Sequence, residues 1–169
     1  MKSHAVARVL FVCLGNICRS PTAHGVFASL VAQRGLSDQV EVDSCGTGAW
    51  HVGEAPDSRA TAEAAARGYD LAVLRARQVH ARDFGHYDYI LAMDRQNLAD
   101  LKRLCPNDYS GHLGLFLAFA EGVGVAEVPD PYYGGPQGFA EVLDLVEAAS
   151  EGLLQTLNRK RKSDDEPAT

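Results

Sequence analysis

"VLFVCLGNICRSPTAHGVF", residues Val9 to Phe27, passes from an apolar run through a turn holding two cysteines and an arginine into helical spacing. Ala7 to Cys13 is nearly continuous in Val, Leu and Phe, the pattern of a strand covered on both faces. Over Pro21 to Arg34 the residues Val26, Phe27, Leu30 and Val31 fall on one side, and Gly35 is a stop signal. Two explanations compete for the turn between them. Either a structural cysteine sits beside a surface arginine, or a pocket holds an anion against a thiolate.

Working outward, the same alternation recurs. Val40 to Cys45 alternates as a second strand, and Asp57 is an N-cap residue type ahead of an Ala-rich helix through Arg67, closed by Gly68. Tyr87 to Met93 reads as a third buried strand. Asp94 then caps a helix reaching Leu104, and His112 to Ala120 supplies a fourth apolar run. Phe139 to Leu157 carries Val142, Leu143, Leu145, Val146, Leu153, Leu154 and Leu157 at helical spacing. Strands alternating with helices predict right-handed crossovers and a parallel sheet covered on both faces. Ligands of such sheets sit beyond the carboxyl ends of the strands, where the opening turn lies.

The 169 residues suit a single domain able to bury a core without disulfides or metals. At 46% hydrophobic and 22% charged residues, with net charge -6, the chain is not the basic type that binds nucleic acid, although a local positive pocket remains compatible with it. The four cysteines Cys13, Cys18, Cys45 and Cys105 do not form the dense array of a disulfide scaffold. Met1 to Leu10 lacks the pattern of a signal peptide, and no apolar run reaches the roughly 18 to 20 residues of a membrane span. A cytoplasmic, membrane-free protein is expected, in a compartment where a nucleophilic thiol stays reduced. Residues 158–169, "NRKRKSDDEPAT", have almost nothing apolar and read as a disordered charged tail after a domain of residues 1–157.

Cys13 and Arg19 bracket five residues, and this Cys-X5-Arg layout between strand and helix suits phosphate chemistry. Successive amides facing inward form a nest, and the following helix adds the positive end of its dipole. The field that holds a phosphate dianion also favours a thiolate at Cys13. Arg19 can grip two phosphate oxygens with a planar fork, which lysine does less well. Gly15 and Asn16 are residue types that tolerate positive φ. Ser20 is placed to cap the helix and to donate to the sulfur, and Pro21 suits a first helical position. The ordinary alternative is a buried apolar thiol, which most free cysteines are. A bare Cys-X5-Arg recurs by chance, so it is the strand before, the helix after and the Gly-Asn-X-Cys-Arg-Ser-Pro filling that favour catalysis. A zinc site on Cys13 and Cys18 lacks a second well-spaced pair.

"VCLGNICRSPTA" resembles the signature of the low-molecular-weight protein tyrosine phosphatases. "VDSCGTGAWHVGEAPDSRA", "RARQV", "DYILAMDRQNLADL" and "VPDPYYG" extend the resemblance from Arg8 to Leu157. It implies a single-domain, flavodoxin-like three-layer α/β sandwich with a four-stranded parallel sheet and helices on both faces. It implies phosphotyrosine hydrolysis through a phosphocysteine on Cys13, with Arg19 and the loop Leu14, Gly15, Asn16, Ile17 and Cys18 around the phosphate. Asp130, stiffened between two prolines, would be the general acid; without the resemblance an Asp in that setting is more often a turn residue. Trp50 and Tyr132, with Tyr133 nearby, would be aromatic walls of the cleft, and Asn16, Ser20 and Ser44 would brace the loop. Cys18 would protect an oxidised Cys13 as a reversible disulfide, against the simpler reading of loop packing. No metal or organic cofactor is implied. The partner would be a phosphotyrosine-containing protein, a tyrosine kinase being one candidate, with the enzyme a monomer or weak dimer.

The sequence also departs from the family pattern. Ala72-Val73 stands where members often carry Ser-His, so the bracing of Asn16 is expected to differ. His24 replaces a common Glu and reads as an exposed helix residue, and Cys45 replaces a small residue and reads as a buried hydrophobe. Asp94 reads only as an N-cap. Two rival functions share the loop chemistry. A thioredoxin-coupled arsenate reductase would need closely spaced resolving cysteines in a mobile downstream segment, and here only Cys45 and Cys105 follow. A non-catalytic phosphate-binding module would lack Cys13, Arg19 or Asp130, and all three are present.

Overall fold

The computed structural model describes residues 7–132 and 136–165, with side chains of all of these except 136 and 161–165. Strands β1 (Ala7–Cys13), β2 (Val40–Gly46), β3 (Tyr89–Ala92) and β4 (His112–Leu115) form one sheet in the order β2-β1-β3-β4. Every pairing is parallel, with Phe11 opposite both Ser44 and Leu91. Helices α1 (Arg19–Gln33), α2 (Ser58–Ala66), α3 (Arg95–Leu104) and α4 (Pro136–Asp165) make the connections and the outer layers.

The β1 alternation divides the core. Val9, Phe11 and Cys13 face a cluster that includes Phe27, Phe116, Leu143 and Leu153, whereas Leu10 and Val12 face one with Ile90, Ala92 and Leu101. Phe11 meets Phe27 and Phe116 edge-on, with ring centroids 5.7 and 4.8 Å apart. A strand with bulky apolar groups on both faces demands helices on both sides, which gives the three layers expected. β1 lies between β2 and β3, so the chain reverses its direction of winding there. The crevice at the carboxyl ends of β1 and β3 is the switch point of the sheet.

Several local expectations shift. α1 begins at Arg19, two residues before Pro21, and Cys18 rather than Ser20 is its N-cap, with no side-chain cap bond. Pro21 still lies in the first turn, where a missing N–H forfeits no helical bond. The fourth apolar run is a strand only to Leu115, then a 3-10 turn over Phe116–Phe119. α4 continues through Asp165, against the expectation of disorder from Asn158. Extending a formed helix adds a bond per residue without a new nucleus, and Lys and Arg are good helix formers. Lys160 also anchors it, its Nζ lying 5.4 Å from the Tyr89 ring centroid. Residues 166–169 lie outside the described set.

Candidate active site

β1 ends at Cys13, and the chain turns through Leu14–Cys18 into α1. What shapes this turn is where its carbonyls go. Cys13 O accepts from Thr47 N (2.9 Å), Leu14 O from Gly48 N (2.9 Å) and Ile17 O from Asp57 N (2.8 Å). The Asn16 N–H turns inward, towards Cys13 Sγ, as an anion-binding nest requires. Asn16 has φ 58, the one positive φ among the described non-glycine residues, as its residue type allows. Gly15 does not share it. Its small size matters for another reason: a Cβ there would stand 3.0 Å from His51 Cδ2. Gly46 plays the closer part, since a Cβ on it would lie 2.6 Å from Leu14 O.

Cys13 is 3% exposed, and two groups converge on its sulfur. The Asn16 N–H donates to Sγ at 3.2 Å, and the Ser20 hydroxyl shares a hydrogen bond with it at 3.0 Å. Asn16 Nδ2 donates to Ser20 Oγ at 2.8 Å, which leaves the hydroxyl proton for Sγ or for Cys45 O at 3.3 Å. Ser20 therefore serves the sulfur from inside the helix rather than capping it. Asn16 Oδ1 accepts from Arg77 N at 3.0 Å. Ala72 and Val73 are exposed, so the brace on Asn16 comes from the Arg77 backbone, with Arg77 itself held by Asp43 (3.0 Å) and Asp83 (3.1 Å).

Arg19 is buried at 4% exposure beside the loop. Its Nη1 donates to Asp94 Oδ2 at 2.7 Å and to Val128 O at 3.1 Å, while Nη2 lies 3.8 Å from Asp130 Oδ2. Asp94 thus does two jobs. Its Oδ1 caps α3 through Asn97 N at 2.7 Å, and its Oδ2 fixes the arginine. Asp94 follows β3 at the same edge of the sheet as Cys13, and that placement brings it to Arg19. Asp130 is half-exposed and accepts from Tyr132 N at 3.0 Å, so its carboxylate is held within its own loop.

A cleft of about 200 Å³ is lined by Cys13, Arg19, Asp130, Trp50, His51 and Tyr132, among others. The loop residues Leu14, Gly15, Ile17 and Cys18 line it too, while Asn16 lies behind it with a buried side chain. Trp50 is 71% exposed, a ring offered to solvent rather than packed in the core. His51, which shares a 3.1 Å hydrogen bond with Glu54, joins the cleft without a local sequence signal. Tyr133 lies outside the described residues.

Burial pushes the Cys18 thiol up to about 12, helped by the nearby Asp57 charge. Ser44 is buried but not seen bonded to the loop; its hydroxyl shares a 3.0 Å hydrogen bond with His24 Nδ1. His24 is half-buried on α1, not exposed, because helix α1 packs against β2 at Ser44. Burial lowers its pKa from the ordinary histidine value. Cys45 is fully buried at the end of β2, as expected.

A strand-ending cysteine, an arginine and an aspartate now share one cleft. The model of the low molecular weight phosphotyrosine protein phosphatases matches residues 8–163. The chain belongs to that family. Among relatives, the low molecular weight protein-tyrosine-phosphatase of Streptomyces coelicolor is 46% identical over 156 residues, spanning 90% of this chain and 94% of the relative. A crystal structure of a protein tyrosine phosphatase from Entamoeba histolytica, with Hepes in its active site, superimposes with a TM-score of 0.88 at 39% identity, covering 92% of this chain and 99% of that one. YfkJ from Bacillus subtilis gives 0.87 at 36% identity, over 94% and 99% of the two chains. Family membership accounts for the fold as described. Among the described residues, no helix is long and apolar enough to cross a membrane.

Proposed function

We propose that this family member hydrolyses phosphotyrosine in proteins, with Cys13 as nucleophile, Arg19 as phosphate clamp and Asp130 as general acid and base. The observation that carries the reading is the sulfur of Cys13 at the floor of the cleft, met by Asn16 N and Ser20 Oγ, with Arg19 and Asp130 opposite. In the first step a sulfur lone pair forms the S–P bond as the P–O bond to the tyrosine breaks. The Asp130 proton passes to the departing oxygen. In the second, Asp130 takes a proton from water as that oxygen attacks phosphorus. The S–P bond breaks, phosphate leaves, and the Ser20 hydroxyl stabilises the returning thiolate. Arg19 and the loop amides hold the equatorial oxygens throughout. Trp50 and Tyr132 favour a substrate whose ester oxygen is carried on a ring.

The arsenate reductase alternative finds less support. Cys45 is fully buried in the sheet, and Cys105 packs against that same cluster rather than on a free segment. The cytoplasm, a monomeric or weakly dimeric form and a tyrosine kinase as substrate belong to the same proposal. So does Cys18 as guard of Cys13. Cys13 and Cys18 line the same cleft, which is what supports that role. The deciding assay is p-nitrophenyl phosphate hydrolysis in the presence of a chelator, inhibited by vanadate and absent from Cys13→Ser. Near-normal turnover by Cys13→Ser would remove the covalent mechanism.

A further inference from the structure

Arg59 does not line the cleft, yet its bonds join the cleft floor to one of its walls. Asp57 N donates to Ile17 O of the phosphate loop at 2.8 Å. Asp57 Oδ1 accepts from Arg59 N at 2.8 Å and from Arg59 Nε at 3.1 Å, and Oδ2 accepts from Nη2 at 2.9 Å. This two-pronged grip fixes the plane of the guanidinium, which a point charge could not match. From there its central carbon reaches two rings, 5.4 Å from the Tyr132 centroid and 4.8 Å from that of Phe139. Phe139 is buried at 3% exposure, whereas Tyr132 is 39% exposed at the edge of the cleft.

We propose that Arg59 is a positioning residue that presets the Tyr132 wall and thereby the preference for aryl phosphates. The inference rests on reading the cleft as an aryl-phosphate site. A half-exposed tyrosine on a loop has rotamer freedom to lose when a ligand ring arrives. A cation held against its face removes part of that freedom beforehand. Tyr132 N also donates to Asp130 Oδ1 at 3.0 Å, so a ring held in place steadies the backbone beneath the acid. Because Arg59 touches none of the phosphate ligands, its influence should fall on the ring of the ligand and not on its phosphoryl group.

Calorimetry with benzylphosphonate and inorganic phosphate separates these two contributions. The wild-type protein should bind benzylphosphonate more tightly than phosphate. Arg59→Met keeps an apolar stem over Phe139 but loses the cation, and should weaken benzylphosphonate about fivefold while phosphate stays within about twofold. Arg59→Lys should not restore the ratio, since an ammonium cannot keep both the bidentate pair and the ring contact. Asp57→Asn retains a helix-capping oxygen and should move the ratio in the same direction by freeing the guanidinium. In turnover, KM for p-nitrophenyl phosphate should rise more than kcat falls. Equal weakening of both ligands, an unchanged ratio, or full rescue by lysine would overturn the proposal. Absent wild-type turnover would instead strike the phosphatase reading, while the calorimetric ratios would still decide the role of Arg59.

Discussion

The turn after Cys13 and the loop around Asp130 line one cleft and are built in different ways. Leu14–Cys18 is short and continuous with β1 and α1; the residues that serve it are largely buried, and the loop carbonyls are tied to the structure beneath. Val128–Tyr132 approaches from across the sheet, with Asp130 half-exposed, and is held through Arg19 to Val128 O, a pairing 109 residues apart in sequence. A floor specified by neighbours can be rigid without its ligand. A wall specified by distant contacts depends on every link that reaches it. The proposed chemistry, with amides below and a proton donor above, draws on that division.

The largest effect should come from the floor. Cys13→Ser should lower turnover by about 10⁴-fold or more, the scale seen when a covalent nucleophile is removed, while phosphate binding measured by calorimetry persists. Asp130→Ala tests the wall. It should slow the first step by about 10²- to 10³-fold for poor leaving groups and far less for p-nitrophenolate, without weakening phosphate binding. If its effect were independent of the leaving group, the wall would not be the proton donor. Asn16→Ala returns to the floor. It removes the bonds to Ser20 and Arg77 and the tolerance of φ 58, so kcat should fall about ten- to hundredfold, the equivalent of losing ~1–3 kcal/mol of buried bonding. Unlike the acid-loop variant, it should also weaken phosphate binding. The Arg59 ratio, at about fivefold, is the next smaller test of how the two loops are joined.

The contrast also explains what could be read from sequence. Cys13, Gly15, Asn16, Arg19 and Ser20 fall within eight residues, so a strand, a turn and a helix start announce them together. The alternating apolar runs likewise announce a parallel sheet, because a strand buried on both faces has little other use. His24 reads as exposed from its own helix because its partner, Ser44, comes from β2, and only the packing of α1 on that strand brings them together. Asp94 looked complete as a cap, since nothing local shows that its second oxygen meets an arginine 75 residues away. His51, Arg59 and the Arg77 brace are invisible for the same reason. The charged end of α4 reads as disordered because composition describes a free segment, not one continuing a packed helix.

The smallest prediction concerns His24, behind the floor. Burial lowers its folded-state pKa below the ordinary 6.5, so between those values the unfolded chain binds more protons than the folded one. Stability conferred by neutral His24 is therefore present above about 6.5 and lost as pH falls towards the folded-state pKa. His24→Asn should flatten the dependence of the thermal midpoint on pH over that window. An unchanged slope would show that the His24–Ser44 pair does not contribute to it.

The covalent step at the floor is the central claim, and rapid quenching tests it most directly. The wild-type protein mixed with a phosphotyrosine peptide, quenched in acid during turnover and digested, should yield one phosphoryl group on the peptide containing Cys13, and none in Cys13→Ser. Sustained turnover with no phosphoryl group on that peptide, or with the group on another residue, would contradict it.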